Sequence, residues 1–514
     1  MTNAGWQSTP VNRDRLRAMR SGFALAVALF VWFAATAWMR PLAMPDEGRY
    51  VSVAWEMLVR GQWAIPTLDG LPFFHKPPLF YWLATAAMRV FGVSPFAARL
   101  PSIAAAVALA WALHRFTLVW CGHVHARVAL VILAATPYLY FAAQYANMDM
   151  LVASCIGCSV LLGAHAVLHA VHGTPARVAL WGAYAAAALG VLAKGLIGCA
   201  LPAAILVGWL LASRRANLLR ALVSPIGLAL FLAIALPWPL AMQARFPGFF
   251  DYFVVEQHLH RFVGSGFNNV EPWWFYLPVL FVLGLPWTLA LPAMVRRAID
   301  VPEPERPSAR GLMMCWVAVT VAFFSIPQSK LIGYAVPAAA PLAWLAAEFI
   351  ASRDVHHAWA RNLHSIACGA AIAMFLCVVG YGIRAPHSTH ALSTVLVNER
   401  RSGEDIVFFD TYPYDLVVQA RLRQPVPVVK QWPDSRAPSP DGWPKELMDA
   451  ARFAPAPAAE VLVGEGVLAH LSSSRRTWIV SSNSAQLPAA LHAYARLRTA
   501  DHTLWLVEPS GFGG

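Results

Sequence analysis

Long apolar runs recur along the first three quarters of the chain, at 21–39, 96–119, 128–144, 151–168, 178–192, 196–212, 221–242, 273–295, 311–326, 332–350 and 363–383. A helix rises about 1.5 Å per residue and the hydrocarbon core of a bilayer is about 30 Å thick, so these runs predict about eleven membrane helices. Two further stretches carry helix start and stop residues but read as helices lying along the membrane surface. One is 47–60, opened by Pro45-Asp46 and closed by Gly61; the other is 77–91, opened by Pro77-Pro78 and closed by Gly92, with Tyr81-Trp82 at headgroup level. After Arg384 hydrophobicity falls. Short apolar runs at 406–409, 427–429, 477–480 and 503–507 predict strands, interleaved with helical stretches at 444–453 and 486–496, and the Pro-, Ser- and Asp-rich 433–444 reads as a loop or hinge. The expected fold is mainly α: a polytopic membrane helical bundle with juxtamembrane helices and a small C-terminal α/β domain. Its divisions are an N-terminal segment 1–20, a membrane domain 21–383 with a first loop at 40–95, and a C-terminal domain 384–514.

Composition agrees with this class. Of 514 residues 58% are hydrophobic and only 13% charged, against roughly 25% charged in ordinary soluble domains. The net charge of +12 then belongs to cytoplasmic loops and lipid headgroups, and nucleic-acid binding is excluded. Arg13, Arg15, Arg17 and Arg20 precede the first run and place the N-terminus in the cytoplasm; the run is too long, and followed by too many others, for a cleaved signal peptide. Alternating sides puts Arg214, Arg215, Arg220, Arg296, Arg297, Arg306, Arg310, Arg353 and Arg361 inside, as the positive-inside rule asks. The seven cysteines fall in or beside apolar segments, so no disulfide framework is implied, and Cys155 and Cys158 read as packing residues.

The same alternation places 46–82, 147–149, Lys194, 245–271, 328–330 and everything after Arg384 on the opposite face. The chemically loaded loops therefore share one side. Asp46 can cap a helix and also present a carboxylate to a cleft, with Arg49 one turn later on the same face. Asp149, at the start of another run, offers a second carboxylate or a second cap. Lys76 is aimed by Pro77-Pro78 at a helix N-terminus, a combination that suits a phosphate. Arg261 and Lys330 add cations to this face, an excess that fits a phosphate or pyrophosphate held while a bond to it breaks. Lys194, followed by Gly195, reads as a helix C-terminal lysine and as a further candidate binder. His75 and His258 are either ordinary hydrogen-bonded histidines or metal ligands. A lipid-linked-sugar transporter would need charges at mid-membrane and two matching halves, and the sequence has neither feature.

Pro45–Tyr50 (PDEGRY), His75–Trp82 (HKPPLFYW), Met148–Met150 (MDM), Ala193–Gly195 (AKG), Glu256–Phe262 (EQHLHRF) and Ser329–Pro337 (SKLIGYAVP) together resemble, in order and spacing, the lipid A aminoarabinose transferase branch of polyprenyl-phosphate-sugar-dependent glycosyltransferases. The resemblance covers 21–350 well, and the C-terminal domain only in position and general type. It implies a GT-C-type membrane glycosyltransferase, related to protein O-mannosyltransferases, in the bacterial inner membrane with its site and C-terminal domain in the periplasm. It further implies a donor in which a sugar such as 4-amino-4-deoxy-L-arabinose is linked to undecaprenyl phosphate, and as acceptor lipid A or another envelope molecule; protein or another glycan is the alternative. Asp46 falls at the family's key acidic position and Asp149 at the second. Arg49, Lys76, Arg261, Lys330 and Tyr334 would contact the donor's phosphate or sugar. His258 would be a ligand to a divalent metal ion, zinc or magnesium. One departure weakens that metal site: the family has an acidic residue before the Lys-Pro-Pro, and this chain has His75.

Overall fold

The computed structural model describes residues 10–260, 269–300, 308–351, 358–385, 387–433, 441–468, 475–489 and 491–508. Every expected membrane run contains helix. Helix α1 is Pro10–Ala34, with Gly22–Ala34 as its apolar part, and among the described residues five other helices, unlike it, are long and apolar enough to cross a bilayer singly: Pro95–Cys121, Met148–Val171, Pro225–Arg245, Ile332–Ala351 and Arg361–Arg384. Shorter apolar helices occupy Ile197–Ala212 and Ala309–Ser325, and Arg177–Lys194 is a helix as well. Two runs read as straight spans are broken instead. His123–Ala134 and Pro137–Ala143 meet at 62°, and Tyr276–Leu283 and Trp287–Arg296 meet at 109°. Each break carries a proline, Pro137 or Pro286, which has no amide hydrogen to continue the helical ladder.

The bundle packs closely where residues are small. The helices Arg177–Lys194 and Ile197–Ala212 cross at Gly190 and Gly198, where a Cβ on Gly190 would stand 2.9 Å from the Gly198 Cα. This backbone contact is the one small residues permit between membrane helices.

The two amphipathic stretches are helices, α2 (Asp46–Arg60) and α3 (Leu79–Phe91). At 13 residues, α3 reaches only about 20 Å and cannot span the core. The pair lies together, with the Thr85 hydroxyl donating to the Ala54 carbonyl at 2.9 Å. Between them a hairpin, β1 (Thr67–Leu68) with β2 (Leu71–Pro72), is held by Glu56, which accepts from the Thr67 hydroxyl at 2.7 Å and from the amides of Asp69 and Gly70. The cap expected at Asp46 is corrected: Pro45 is the N-cap, Asp46 is already helical, and no side chain caps this end.

The C-terminal region forms a six-stranded sheet in the order β5-β4-β3-β6-β8-β7. Strands β3 (Asp405–Phe409), β4 (Val428–Val429), β5 (Leu462–Val463) and β6 (Thr477–Ser482) run parallel, while β7 (Ala493–Arg498) and β8 (His502–Val507) complete an antiparallel edge. The helix expected at 486–496 is a second correction, since 493–498 is the edge strand β7. Its Ala, Leu and Arg residues are good helix formers, but pairing along β8 overrides that local preference. This region is tied to the first loop: the Trp55 indole donates to the Leu422 carbonyl at 2.8 Å, and Asp69 accepts from the Val426 amide at 2.8 Å.

Candidate functional site

Two neighbours in the first turn of α2 have opposite fates. Glu47 has no exposed surface and accepts from Arg99 Nε and Nη2 at 2.8 Å each, from Arg40 Nη1 at 2.5 Å, and from the amides of Ala43 (2.8 Å) and Ala146 (2.7 Å). Burial alone would raise its pKa, but the Arg99 and Arg40 guanidiniums outweigh burial and hold it at about 2. Arg40 also donates to the Gln144 carbonyl at 2.5 Å, and Arg99 to the carbonyls of Ala37, Arg40 and Pro41. One buried carboxylate thereby joins the end of the first span, the start of α2, the helix Pro95–Cys121 and the turn before Met148–Val171.

Asp46 faces the other way, with about a third of its side chain exposed and an ion pair to Arg49. Arg49 pairs as well with Glu446, from the C-terminal helix Trp443–Ala451, and lies over the rings of Tyr50 (5.0 Å) and Tyr414 (5.9 Å). The Tyr414 hydroxyl donates to Glu446 at 2.6 Å. Arg49 Nε is buried and, among the described residues, has no hydrogen-bond partner.

Asp149 is not the N-cap of its helix. Asn147 is, accepting from the Asp149 amide at 3.0 Å and donating through its side-chain amide to Asp149 Oδ2 at 3.1 Å. The carboxylate is thus free to pair with Lys194, whose ammonium sits 4.2 Å from the centre of the Tyr334 ring. Gly333 abuts the Asp149 carboxylate, and a Cβ there would collide with it. Tyr50 is buried within reach of both charges: burial first, and then the charges of Asp46 and Asp149, raise its pKa against the opposing pull of Arg49. Asp46, Arg49, Asp149, Lys194 and Tyr334 therefore come from four separated stretches into one neighbourhood.

His75 is buried, stacked on Phe73 with centroids 4.6 Å apart, and its Nε2 lies 3.6 Å from Asp449 Oδ2. Lys76 is half-buried beside it. Lys330 is turned inward, its ammonium donating to the carbonyls of Glu271 (2.8 Å) and Pro327 (2.5 Å), so its charge pins a turn. Arg261 and the His258 side chain lie outside the described residues. Among the described residues, no three His, Cys, Asp or Glu side chains converge as a metal site requires. Glu446 and Asp449 carry no signal in the local sequence, because only the fold brings that helix to Arg49 and His75. Arg40 and Arg99, at the edges of apolar runs, read locally as residues snorkelling to headgroups.

A bundle of long apolar helices with charged pairs at their ends defines a membrane protein of many helices. The crystal structure of ArnT from Cupriavidus metallidurans bound to undecaprenyl phosphate superposes with a TM-score of 0.81 at 22% identity, covering 95% of this chain and 97% of that one. Residues 75–240 match the family described as dolichyl-phosphate-mannose-protein mannosyltransferase. An undecaprenyl phosphate-alpha-4-amino-4-deoxy-L-arabinose arabinosyl transferase of Erwinia tasmaniensis is 30% identical over 385 residues, 73% of this chain and 68% of that protein. One of the same description from Pectobacterium carotovorum is 31% identical over 358 residues, 68% of this chain and 63% of its own length. The chain belongs to the undecaprenyl phosphate-aminoarabinose arabinosyl transferase family, and it spans a little over three fifths of the length of the first curated relatives it matches.

Proposed function

We propose that the protein is a glycosyltransferase that moves a sugar, 4-amino-4-deoxy-L-arabinose in this reading, from undecaprenyl phosphate to lipid A on the periplasmic face of a bacterial inner membrane. The observation that carries this is the meeting of Asp46–Arg49 and Asp149–Lys194 around Tyr50, within a chain of this family. In the same reading 1–20 is cytoplasmic, 21–383 is the membrane catalytic domain and 384–514 is periplasmic.

The reaction is a displacement at the anomeric carbon. An acceptor oxygen forms the new bond while the bond from the anomeric carbon to the carrier's phosphate oxygen breaks, and the phosphate leaves with that electron pair. Arg49, with a buried Nε still unused, and Lys76 would hold the leaving phosphate, a role the family resemblance extends to Arg261. Lys194, itself against the Tyr334 ring, holds Asp149 for sugar hydroxyls, and Lys330 supports the turn that carries Tyr334. A lipid A phosphate is already anionic at neutral pH and needs no general base, so Asp46 would serve to orient, holding Arg49 in place, rather than to deprotonate; a hydroxyl acceptor would pass its proton to Asp46.

The test is transfer from a purified undecaprenyl-phosphate-linked aminoarabinose donor to lipid A, read by mass spectrometry. Wild type should add the pentosamine, and Asp46→Asn should lower kcat by roughly 100-fold or more while the protein stays folded. Undiminished transfer by Asp46→Asn, or no adduct from wild type while a protein or glycan acceptor is modified, would overturn the reading.

A further inference from the structure

A second positively charged region lies on the C-terminal sheet. A cavity of about 520 Å³ is walled by Arg400, Arg421, Arg423 and Arg475, together with Glu404 and Asp405. All four arginines are exposed. Glu404 does not neutralise them, because its carboxylate is occupied by the Arg476 guanidinium (2.9 Å), the Trp478 indole (2.7 Å) and the Arg401 amide (3.0 Å). Arg400 is fixed by donating to the Glu404 carbonyl through Nε (3.1 Å) and Nη2 (2.8 Å). Among the described residues, no carboxylate pairs with Arg421, Arg423 or Arg475.

Arg421 also lines a larger cavity, of about 770 Å³, whose walls include Trp38, Arg40, Arg384, His390 and Asn398 and, among the described residues, no Asp or Glu. Trp38 is 64% exposed and Ile383 80% exposed, so this second cavity opens at the bilayer boundary. The two volumes are of the size that holds a saccharide. Guanidiniums on one wall, without carboxylate partners, suit phosphates through paired charge-assisted hydrogen bonds.

We propose that the two cavities, joined at Arg421, form one cleft that takes the phosphorylated saccharide of a membrane lipid, entering from the bilayer surface and resting one of its phosphates on Arg421, Arg423 and Arg475. Taking that lipid to be the acceptor rests on the function proposed above; the anion cleft itself does not. The full-length protein in neutral detergent should bind a bisphosphorylated glucosamine disaccharide without acyl chains, and bind it less well as salt rises. Arg421→Ala, and separately Arg423→Ala with Arg475→Ala, should weaken that binding about tenfold or more, with the unfolding temperature unchanged. In the transfer assay the same variants should raise KM for lipid A and leave KM for the donor alone. Unchanged disaccharide affinity in both variants would overturn the cleft. So would equal binding of the dephosphorylated disaccharide, of inorganic phosphate, or of phosphatidylglycerol micelles. Arginine-dependent disaccharide binding in a protein that transfers nothing to lipid A would uphold the cleft and reject the function instead.

Discussion

A carboxylate with no exposed surface is expensive to hold ionised unless hydrogen bonds and opposite charges surround it, and Glu47 has both. Glu47→Gln leaves Arg99, itself fully buried, without its counter-charge. The expected cost is about 3–5 kcal/mol, seen as a lower unfolding temperature in detergent, with activity lost along with the fold. Because its pKa falls from an ordinary 4.5 to about 2 on folding, the stability Glu47 adds is complete above pH 4.5 and fades as pH drops from there towards 2. Asp415 has the opposite sign. Burial, only partly relieved by the Thr389 amide, pushes it from 3.8 up to about 6, and its Oδ1 has no partner among the described residues. Its native state is therefore favoured below pH 3.8 and loses stability as pH rises through 6. Asp415→Asn should unfold at a higher temperature than wild type at pH 7, by about 1–3 kcal/mol, and show no advantage at pH 4; an equal gain at both values would contradict this sign.

At the scale of elements, the site depends on how helix ends and turns are presented. Gly333 sits in the 3₁₀ turn Ile332–Ala338 against the Asp149 carboxylate. Gly333→Ala should push that carboxylate off Lys194 and lower kcat by roughly tenfold or more with little change in melting temperature; a loss of fold without a kinetic defect at low temperature would show that the contact is only structural. Much of this level was legible in the chain. The apolar runs mark the helices because a membrane span announces itself by length alone, and the pairing of Asp46 with Arg49 follows from three-residue spacing on a helix. What stayed hidden was what local pattern cannot encode. The bends at Pro137 and Pro286 lie inside uniformly apolar stretches. The strand β7 is made of helix-forming residues, and the cap before Asp149 falls to Asn147 although Asp149 is an equally good capping residue.

At the scale of the whole molecule, sequence alternation placed the charged loops on one side, and in the fold those loops touch. Arg40 reaches the Gln144 carbonyl, Lys194 reaches Asp149, and Arg49 reaches Glu446. A single cysteine introduced at Lys76, at the exposed Gln328 or in the C-terminal domain at Lys430, each in a chain with the native cysteines replaced, should react with a membrane-impermeant thiol reagent in intact spheroplasts. One at Arg215 should react only after lysis. Reaction of the Gln328 and Lys76 positions from opposite compartments would remove the basis for a shared site. Arg49 and Glu446 stand 397 residues apart in the chain, so the pocket's first contributor leaves the ribosome long before its last. A nascent chain can thread nearly all its spans into the bilayer and still be chemically inert, and premature termination in the closing stretch of the message yields a resident of the membrane with an open, unguarded arginine where turnover would begin.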